Sequence, residues 1–300
     1  MSETILEPVA PAAPKTVRRR PALERAGTLL RDPVTLVCLV VLAGLAGMAL
    51  LAPLIAGDPA AIDPVNRLKP PGGDYLMGTD HLGRDVFART VYGARVSLGV
   101  AFSVAVLATV PGVMLGLLAG LTRRAGWVVM RLTDAMMAIP AVLLAIALAA
   151  LLRPGVWTVI IAIAIPEVPR MIRLVRAVTL GVRAQPYVDA AVASGTRGAA
   201  LVMRHILPNT LAPVMVQATY AAASAVIASA ILSFLGVGTA PDTPSWGGMM
   251  ADARRYFRLY PMLMFWPGLM LALLVLVVNV LGDRLSDALD PRKLTRGGTL

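Results

Sequence analysis

The sequence is poor in cysteine, histidine, aromatic residues and charge, and each shortage excludes a class of protein. A single cysteine, Cys38, excludes an internal disulfide. The two histidines, His81 and His205, lie far apart in the sequence, which argues against a histidine metal cluster. Charged residues make up 15% of the chain, whereas soluble domains carry about 25%. A disordered chain, a secreted disulfide scaffold and an ordinary cytosolic enzyme are therefore excluded.

What the sequence has in excess is aliphatic side chains. Hydrophobic residues make up 57% of the chain and its mean hydropathy is +0.74, whereas soluble domains contain about 45–50% apolar residues. One soluble core cannot bury such an excess, so we expect an all-α integral membrane protein in contact with lipid. The net charge of +11 then indicates basic cytoplasmic loops, and we expect no nucleic-acid partner.

Apolar runs predict six transmembrane helices, because a helix needs about 20 apolar residues to cross the hydrocarbon core. The fourth run is too short alone, and we expect it to continue as a helix through Glu167 and Arg170, bent by Pro166 and Pro169. The predicted spans are 34–56, 96–121, about 127–152, 156–170, 211–235 and 260–281.

Six spans place both termini on one side of the membrane. Lysine and arginine are most numerous in the N-terminal tail, the loop at Arg123, residues 170–210 and the C-terminal tail, which predicts that these face the cytoplasm. The predicted organisation is a cytoplasmic tail (1–33), a first transmembrane helix (34–56), an external loop (57–93), a five-helix core (94–283) and a cytoplasmic tail (284–300). We expect a multi-pass membrane protein with both termini in the cytoplasm.

The residues give no sign of catalytic chemistry. The phosphate-binding pattern GxxxxGK[ST] is missing because no lysine follows a glycine, so we expect no ATP hydrolysis by this chain. His81 has Asp80 and Asp85 nearby, but such a loop group is more often solvated than bound to metal. We expect Asp80 to cap a short external helix near Leu82. The sequence predicts no catalytic residue, metal or cofactor.

Residues 187–209 read as a helix–turn–helix at the membrane surface. A short helix over 187–193 is followed by Gly195, which permits a tight turn. Thr196 is predicted to cap a second helix and Pro208 to stop it. From the residues alone, a simple surface connector is the alternative.

The spacing of these residues resembles the EAA loop of ABC importer permeases. The similarity lies in Asp189-Ala190-Ala191, Gly195 and Leu207-Pro208, with Asp189 in place of the usual glutamate. In that family the loop docks into a groove of the cytoplasmic ATPase. The residues that the resemblance assigns to ATPase coupling are Asp189, Ala190, Ala191, Gly195, Arg197, Arg204, His205, Leu207 and Pro208.

Further motifs are similar to the peptide/nickel branch of these permeases. They occupy 76–85, 92–95, 233–238, 244–247 and 281–292, in the order and spacing of that branch. The resemblance covers about residues 30–293. Ser229 departs from it, because the branch often carries glutamate at that position.

The resemblance implies the second permease subunit of a type I ABC importer in a bacterial cytoplasmic (inner) membrane. Its expected partners are a homologous permease in a heterodimer, two ABC ATPase subunits and an extracytoplasmic solute-binding protein. Dipeptides or oligopeptides are the expected substrates, with nickel chelates and glutathione as alternatives. A secondary transporter or channel is the alternative of another class.

Three charged residues are candidates for gating or for the transport pathway. Arg131 and Asp134 are three residues apart on a helix and are expected to pair with each other, with gating as the alternative. Glu167 is expected near the membrane boundary, where it either pairs with Arg170 or Arg173 or has a function in the pathway.

Overall fold

The computed structural model describes residues 32–240 and 242–289, and these residues form helices joined by short loops. No β-strand occurs among them, in agreement with the predicted all-α class. Residues 1–31 and 290–300, which belong to the predicted tails 1–33 and 284–300, lie outside the described residues. The described ranges contain ten α-helices, which are α1 (Pro33–Ile55), α2 (Val86–Leu121), α3 (Arg123–Met137), α4 (Ala141–Leu151), α5 (Val156–Arg183), α6 (Pro186–Ala193), α7 (Gly198–Leu201), α8 (Leu207–Phe234), α9 (Trp246–Ala253) and α10 (Met262–Leu289).

Helix α1 agrees with the first predicted span to within a residue at each end. Asp32 caps it, because its carboxylate accepts hydrogen bonds from the Thr35 amide at 3.1 Å and the Thr35 hydroxyl at 2.8 Å. The hydroxyl bond is the main reason why the pKa of Asp32 lies below its ordinary value. Pro33 then occupies the first turn, where its missing N–H has no cost.

Helix α2 begins ten residues earlier than the uncharged run predicted. Asp85 caps it by accepting a hydrogen bond from the Phe87 amide at 2.9 Å, so the predicted external loop ends before residue 86. Its first turns contain Arg89 and Thr90, which hydropathy alone excluded from the span. Both side chains are buried against protein, which is why polar residues are tolerated there.

The predicted helix near Leu82 is absent from the structure. Asp80 does accept hydrogen bonds from the amides of Leu82 at 2.8 Å and Arg84 at 3.0 Å, but these close a turn. Gly83 has φ +80, a left-handed conformation that ends any helix at this point. Asp80 is therefore a loop-organising residue.

The third predicted span is broken into two helices. Helices α3 and α4 meet at an angle of 84°, at Pro140. By length and composition, four single helices are apolar enough to cross a membrane, and the α3–α4 pair would make five. Helix α5 is continuous through Pro166 and Pro169, as predicted through Arg170, and its 28 residues have sufficient length although they carry several arginines. The six-span count thus depends on α5.

The bundle has two ends, which we name by what they contain. The loop end holds residues 56–85 and 242–261, where the buried Trp246 indole donates a hydrogen bond to the Thr90 carbonyl at 2.9 Å. The terminal end holds the start of α1 and the last turns of α10, joined by an ion pair of 3.5 Å between Asp32, the residue that caps α1, and Arg284. The two limits of the described chain therefore share one end.

A glycine seam joins α2 to α5. Three glycines spaced by four residues on α2 lie directly against α5, where a Cβ on any of them would stand 2.4–2.7 Å from a side-chain carbon. Small residues at this spacing let helices approach closely within a membrane. The seam pairs Gly112 with Met171, Gly116 with Val175 and Gly120 with Thr179.

Candidate functional site

The segment 186–208 projects from the terminal end as two helices joined by a turn. Helix α6 occupies Pro186–Ala193, as predicted, and its buried Val188 anchors it to the bundle. Gly195 follows with φ +89, a backbone conformation that side chains resist. The predicted turn at Gly195 is confirmed.

Thr196 does not cap the second helix. Its backbone N–H instead donates to the Ala191 carbonyl at 3.0 Å, while the Gly195 N–H donates to the Val192 carbonyl at 2.9 Å. These two bonds form the Schellman motif that closes α6. Arg197 stands at the start of α7, without a side-chain capping bond.

Pro208 does not stop a helix either. Residues Val202–Ile206 form a wide π-helical turn between α7 and α8, and Pro208 lies in the first turn of α8. A proline is tolerated there because the turn before it already departs from the i→i−4 bonding pattern. The result is a helical rod over Gly198–Phe234, which joins the projecting segment directly to a membrane span.

Most of the residues assigned to coupling face outward. The exposed members are Asp189, Ala190, Gly195, Arg197, Arg204 and Pro208, and the half-buried ones are Ala191, His205 and Leu207. The His205 carbonyl accepts a hydrogen bond from Asn209 at 2.7 Å. The segment thus presents a charged surface of fixed shape.

A second group of interest surrounds Glu167 on α5. Glu167 is buried, and its Oε1 accepts hydrogen bonds from Arg170 at 2.7 Å and from the Ser224 hydroxyl at 3.2 Å. Ser224 belongs to α8, so this group ties two helices together. It lines a cavity of about 230 Å³ between α4, α5 and α8, whose other walls are mainly apolar.

The structure confirms one of the two pairings expected for Glu167. Glu167 is the twelfth residue of α5, about 17 Å along the helix from Val156 at 1.5 Å per residue. It therefore lies in the interior of the helix, and its expected position near the membrane boundary stays a prediction. The predicted pairing is with Arg170, whereas Arg173 binds elsewhere.

The predicted ion pair between Arg131 and Asp134 is wrong. Asp134 accepts a hydrogen bond from Arg173 of α5 at 2.8 Å, and the Arg131 guanidinium lies over the Trp127 ring at 5.6 Å. Contact with a neighbouring helix outweighs the weak attraction of residues three apart on one helix. Both side chains nevertheless line one hollow at the terminal end.

A charged cluster that the sequence did not reveal lies at the loop end. Arg84 and Arg89 are buried, and Arg84 donates to Asp80 at 2.6 Å and to Asp252 at 3.4 Å. Burial raises the pKa of the neighbouring Asp85. His81 stacks on Tyr256 with ring centroids 5.5 Å apart, instead of standing in solvent as expected. The cluster attaches the segment before α2 to the helix after α8.

Two family models match this chain. Residues 112–295 match the binding-protein-dependent transport system inner membrane component, which covers more than half of the chain. The chain belongs to this family. Residues 26–71 of the permease also match the N-terminal transmembrane domain of oligopeptide transport permease C, which confirms the resemblance to the peptide branch.

Relatives of the permease agree. A probable peptide ABC transporter permease of Sinorhizobium fredii is 49% identical over 249 residues, which are 83% of this chain and 86% of the relative. A di/tripeptide transport system permease of Pseudomonas aeruginosa is 44% identical over 252 residues, 81% of this chain and 83% of the relative. An inward-facing MetNI methionine ABC transporter has the same fold, with a TM-score of 0.58 and 20% identity over 67% of this chain and 96% of that chain.

Proposed function

We propose that this permease forms half of the translocation pathway of an ATP-driven importer of dipeptides or oligopeptides. It works with a homologous permease, two ABC ATPase subunits and an extracytoplasmic solute-binding protein. The observation that carries the proposal is the family match together with the helix–turn–helix that projects from the terminal end. The names of the relatives support the peptide substrate.

The projecting segment is the proposed contact with the ATPase. Its exposed Asp189, Arg197 and Arg204 offer charges to a soluble partner, while the buried Val188 and Ile206 hold the segment on the bundle. Because α7 continues through the π-helical turn into α8, a displacement of the projecting segment moves the whole of α8. That continuity supplies the link between ATP hydrolysis and the membrane pathway, as a conformational coupling requires.

The Glu167 cavity is the proposed part of the pathway. A buried carboxylate inside a membrane span is expensive and is retained mostly for a function. Here it stands with Arg170 in a cavity whose other walls are mainly apolar, which resembles a site for a polar solute, while Ser224 serves to tie Glu167 to α8. Arg131 and Asp134 lie nearer the terminal end, where gating is their proposed role.

The coupling proposal is tested by Gly195→Val with Gly181→Val as its matched control. A Cβ on either glycine meets no atom within 4 Å, but only Gly195 has a left-handed φ, so only there is a β-branched residue strained. In proteoliposomes that contain the complete importer, we expect Gly195→Val to abolish ATP-dependent dipeptide uptake and to reduce ATPase copurification. Gly181→Val should preserve both.

Three results would contradict the proposal. Normal uptake and substrate-stimulated ATP hydrolysis in Gly195→Val would make the segment a connector only. Uptake that persists without ATP would indicate a secondary transporter or channel. Competition by a nickel chelate or glutathione, but not by dipeptides, would reassign the substrate.

A further inference from the structure

A basic hollow opens at the terminal end, between the last turns of α2, helix α3 and the last turns of α5. Its volume is about 600 Å³. The charged side chains in its wall are four arginines and one aspartate, namely Arg123, Arg131, Arg176, Arg183 and Asp134. The hollow is therefore strongly positive.

The single carboxylate does not neutralise this charge. Asp134 is held by Arg173, which is not part of the wall, at 2.8 Å. Within residues 32–240 and 242–289, the side chains of Arg123 and Arg176 make no hydrogen bond or ion pair, and the Nε of Arg176 is buried without a partner. A buried donor without an acceptor is costly, so the wall is incomplete without an anion.

One of the four arginines is already used by the fold. Arg183 donates to the carbonyls of Gly120 at 2.9 Å and Leu121 at 3.1 Å, at the end of α2. It thereby satisfies acceptors that the end of a helix leaves open. The side chains with free donor capacity are thus Arg123 and Arg131 of α3 and Arg176 of α5.

The rim of the hollow is apolar. The Trp127 side chain lines it and is 66% exposed, and it lies under the Arg131 guanidinium. On the same helix, Val128 and Leu132 are 60% and 64% exposed. Cationic groups beside exposed tryptophan and aliphatic side chains match an amphiphile with an anionic head.

We propose that this hollow binds the phosphodiester headgroup of an anionic phospholipid. The arginines of α3 and α5 would hold the phosphate oxygens, because guanidinium groups bind phosphate with paired N–H donors. The acyl chains would lie along the apolar face of α3. A free phosphate would use the same arginines but would leave that apolar face uncovered, which is why a lipid fits better. The site does not depend on the identity of the transported solute.

The test measures lipid binding to the complete importer complex by native mass spectrometry. The probes are dioleoyl-phosphatidylglycerol, dioleoyl-phosphatidylcholine, and glycerol phosphate as the soluble competitor. The variants are the double substitution Arg123→Gln/Arg176→Gln and the control Arg258→Gln, which removes an exposed arginine at the loop end. Each arginine near a membrane surface contributes about 1 kcal/mol, so the double variant should bind phosphatidylglycerol at least about tenfold more weakly.

The expected result is preferential binding of phosphatidylglycerol by the wild type and the control, weakened in the double variant and retained in Arg176→Lys. Thermal unfolding of each variant shows that the complex is still folded. Equal binding of phosphatidylcholine, unchanged binding in the double variant, or no lipid on the wild type would each overturn the proposal. Full displacement by glycerol phosphate would identify a soluble phosphate as the ligand and would also overturn it.

Discussion

At the scale of single residues, the burial of the Glu167 carboxylate is the feature that most needs a physical explanation. A carboxylate buried between helices is stabilised by its partners, here one guanidinium and one hydroxyl. Arg170 has a half-exposed side chain and faces the cavity, so the pair is accessible to a solute. An ion pair that only holds helices together would not be stabilised by being open to the cavity.

We expect Glu167→Gln to lower the uptake rate by about tenfold or more while the permease stays abundant in the membrane. Glutamine still accepts the hydrogen bond from Ser224, so the link between α5 and α8 is kept while the charge is lost. Replacing a hydrogen bond to a charged group costs about 1.5–3 kcal/mol, which is roughly a tenfold change or more. The measurement is dipeptide uptake normalised to membrane abundance.

Ser224→Ala is the matched control for Glu167. It removes the link to α8 but leaves the pair of Glu167 and Arg170 intact, so a pathway role predicts nearly normal uptake. A loss of uptake in both variants that follows their loss of thermal stability would show that the cluster only holds the helices together.

At the scale of helices, the glycine seam between α2 and α5 determines how closely two spans approach. A Cβ on Gly116 would stand 2.6 Å from the Cβ of Val175 and 3.0 Å from the carbonyl oxygen of Ile172, so neither helix can keep its position. We expect Gly116→Ala to destabilise the permease by about 1–3 kcal/mol through overpacking. The midpoint of thermal unfolding of the extracted complex measures this.

Gly99→Ala on the same helix separates packing from helix propensity. A Cβ at Gly99 meets no atom within 4 Å, and alanine favours a helix by about 1 kcal/mol relative to glycine. The control should therefore unfold at the same temperature or slightly higher. Equal behaviour of the two variants would refute a packing role for the seam.

The sequence predicts those helices whose boundaries coincide with a change in hydropathy. Helix α1 is such a case, because its apolar run begins at a proline and ends before polar residues. The start of α2 was not predicted, because Arg89 is buried by contacts with other parts of the protein and a hydropathy profile does not describe such contacts. The glycine seam could not be predicted, because the sequence does not distinguish a glycine that contacts a neighbouring helix from one that faces lipid.

The candidate sites also differ in whether the sequence predicts them. The projecting segment was predictable because its turn depends on Gly195 and a few adjacent residues. The loop-end cluster was not, because Arg84 and Asp252 are 168 residues apart in the chain. Pro208 was misread because the π-helical turn before it is a feature of the backbone with no sequence signal of its own.

At the scale of the whole molecule, the two ends of the bundle differ in charge. The terminal end carries Arg123, Arg183, Arg197 and Arg204, and by the positive-inside rule it should face the cytoplasm. The ion pair between Asp32 and Arg284 places both limits of the described chain at that end. The loop end, with residues 56–85, should then face outward, where a solute-binding protein delivers its cargo.

Single cysteines test this orientation. In a Cys38→Ser background, Asp74→Cys reports on the loop end and Ser194→Cys on the projecting segment; both residues are exposed. In intact cells, an impermeant maleimide should label Asp74→Cys at once and Ser194→Cys only after lysis. The parent without cysteine should remain unlabelled. Labelling of Ser194→Cys but not Asp74→Cys in intact cells would show that the topology is inverted. The projecting segment could then not contact the ATPase, because a cytoplasmic subunit cannot reach a segment outside the membrane.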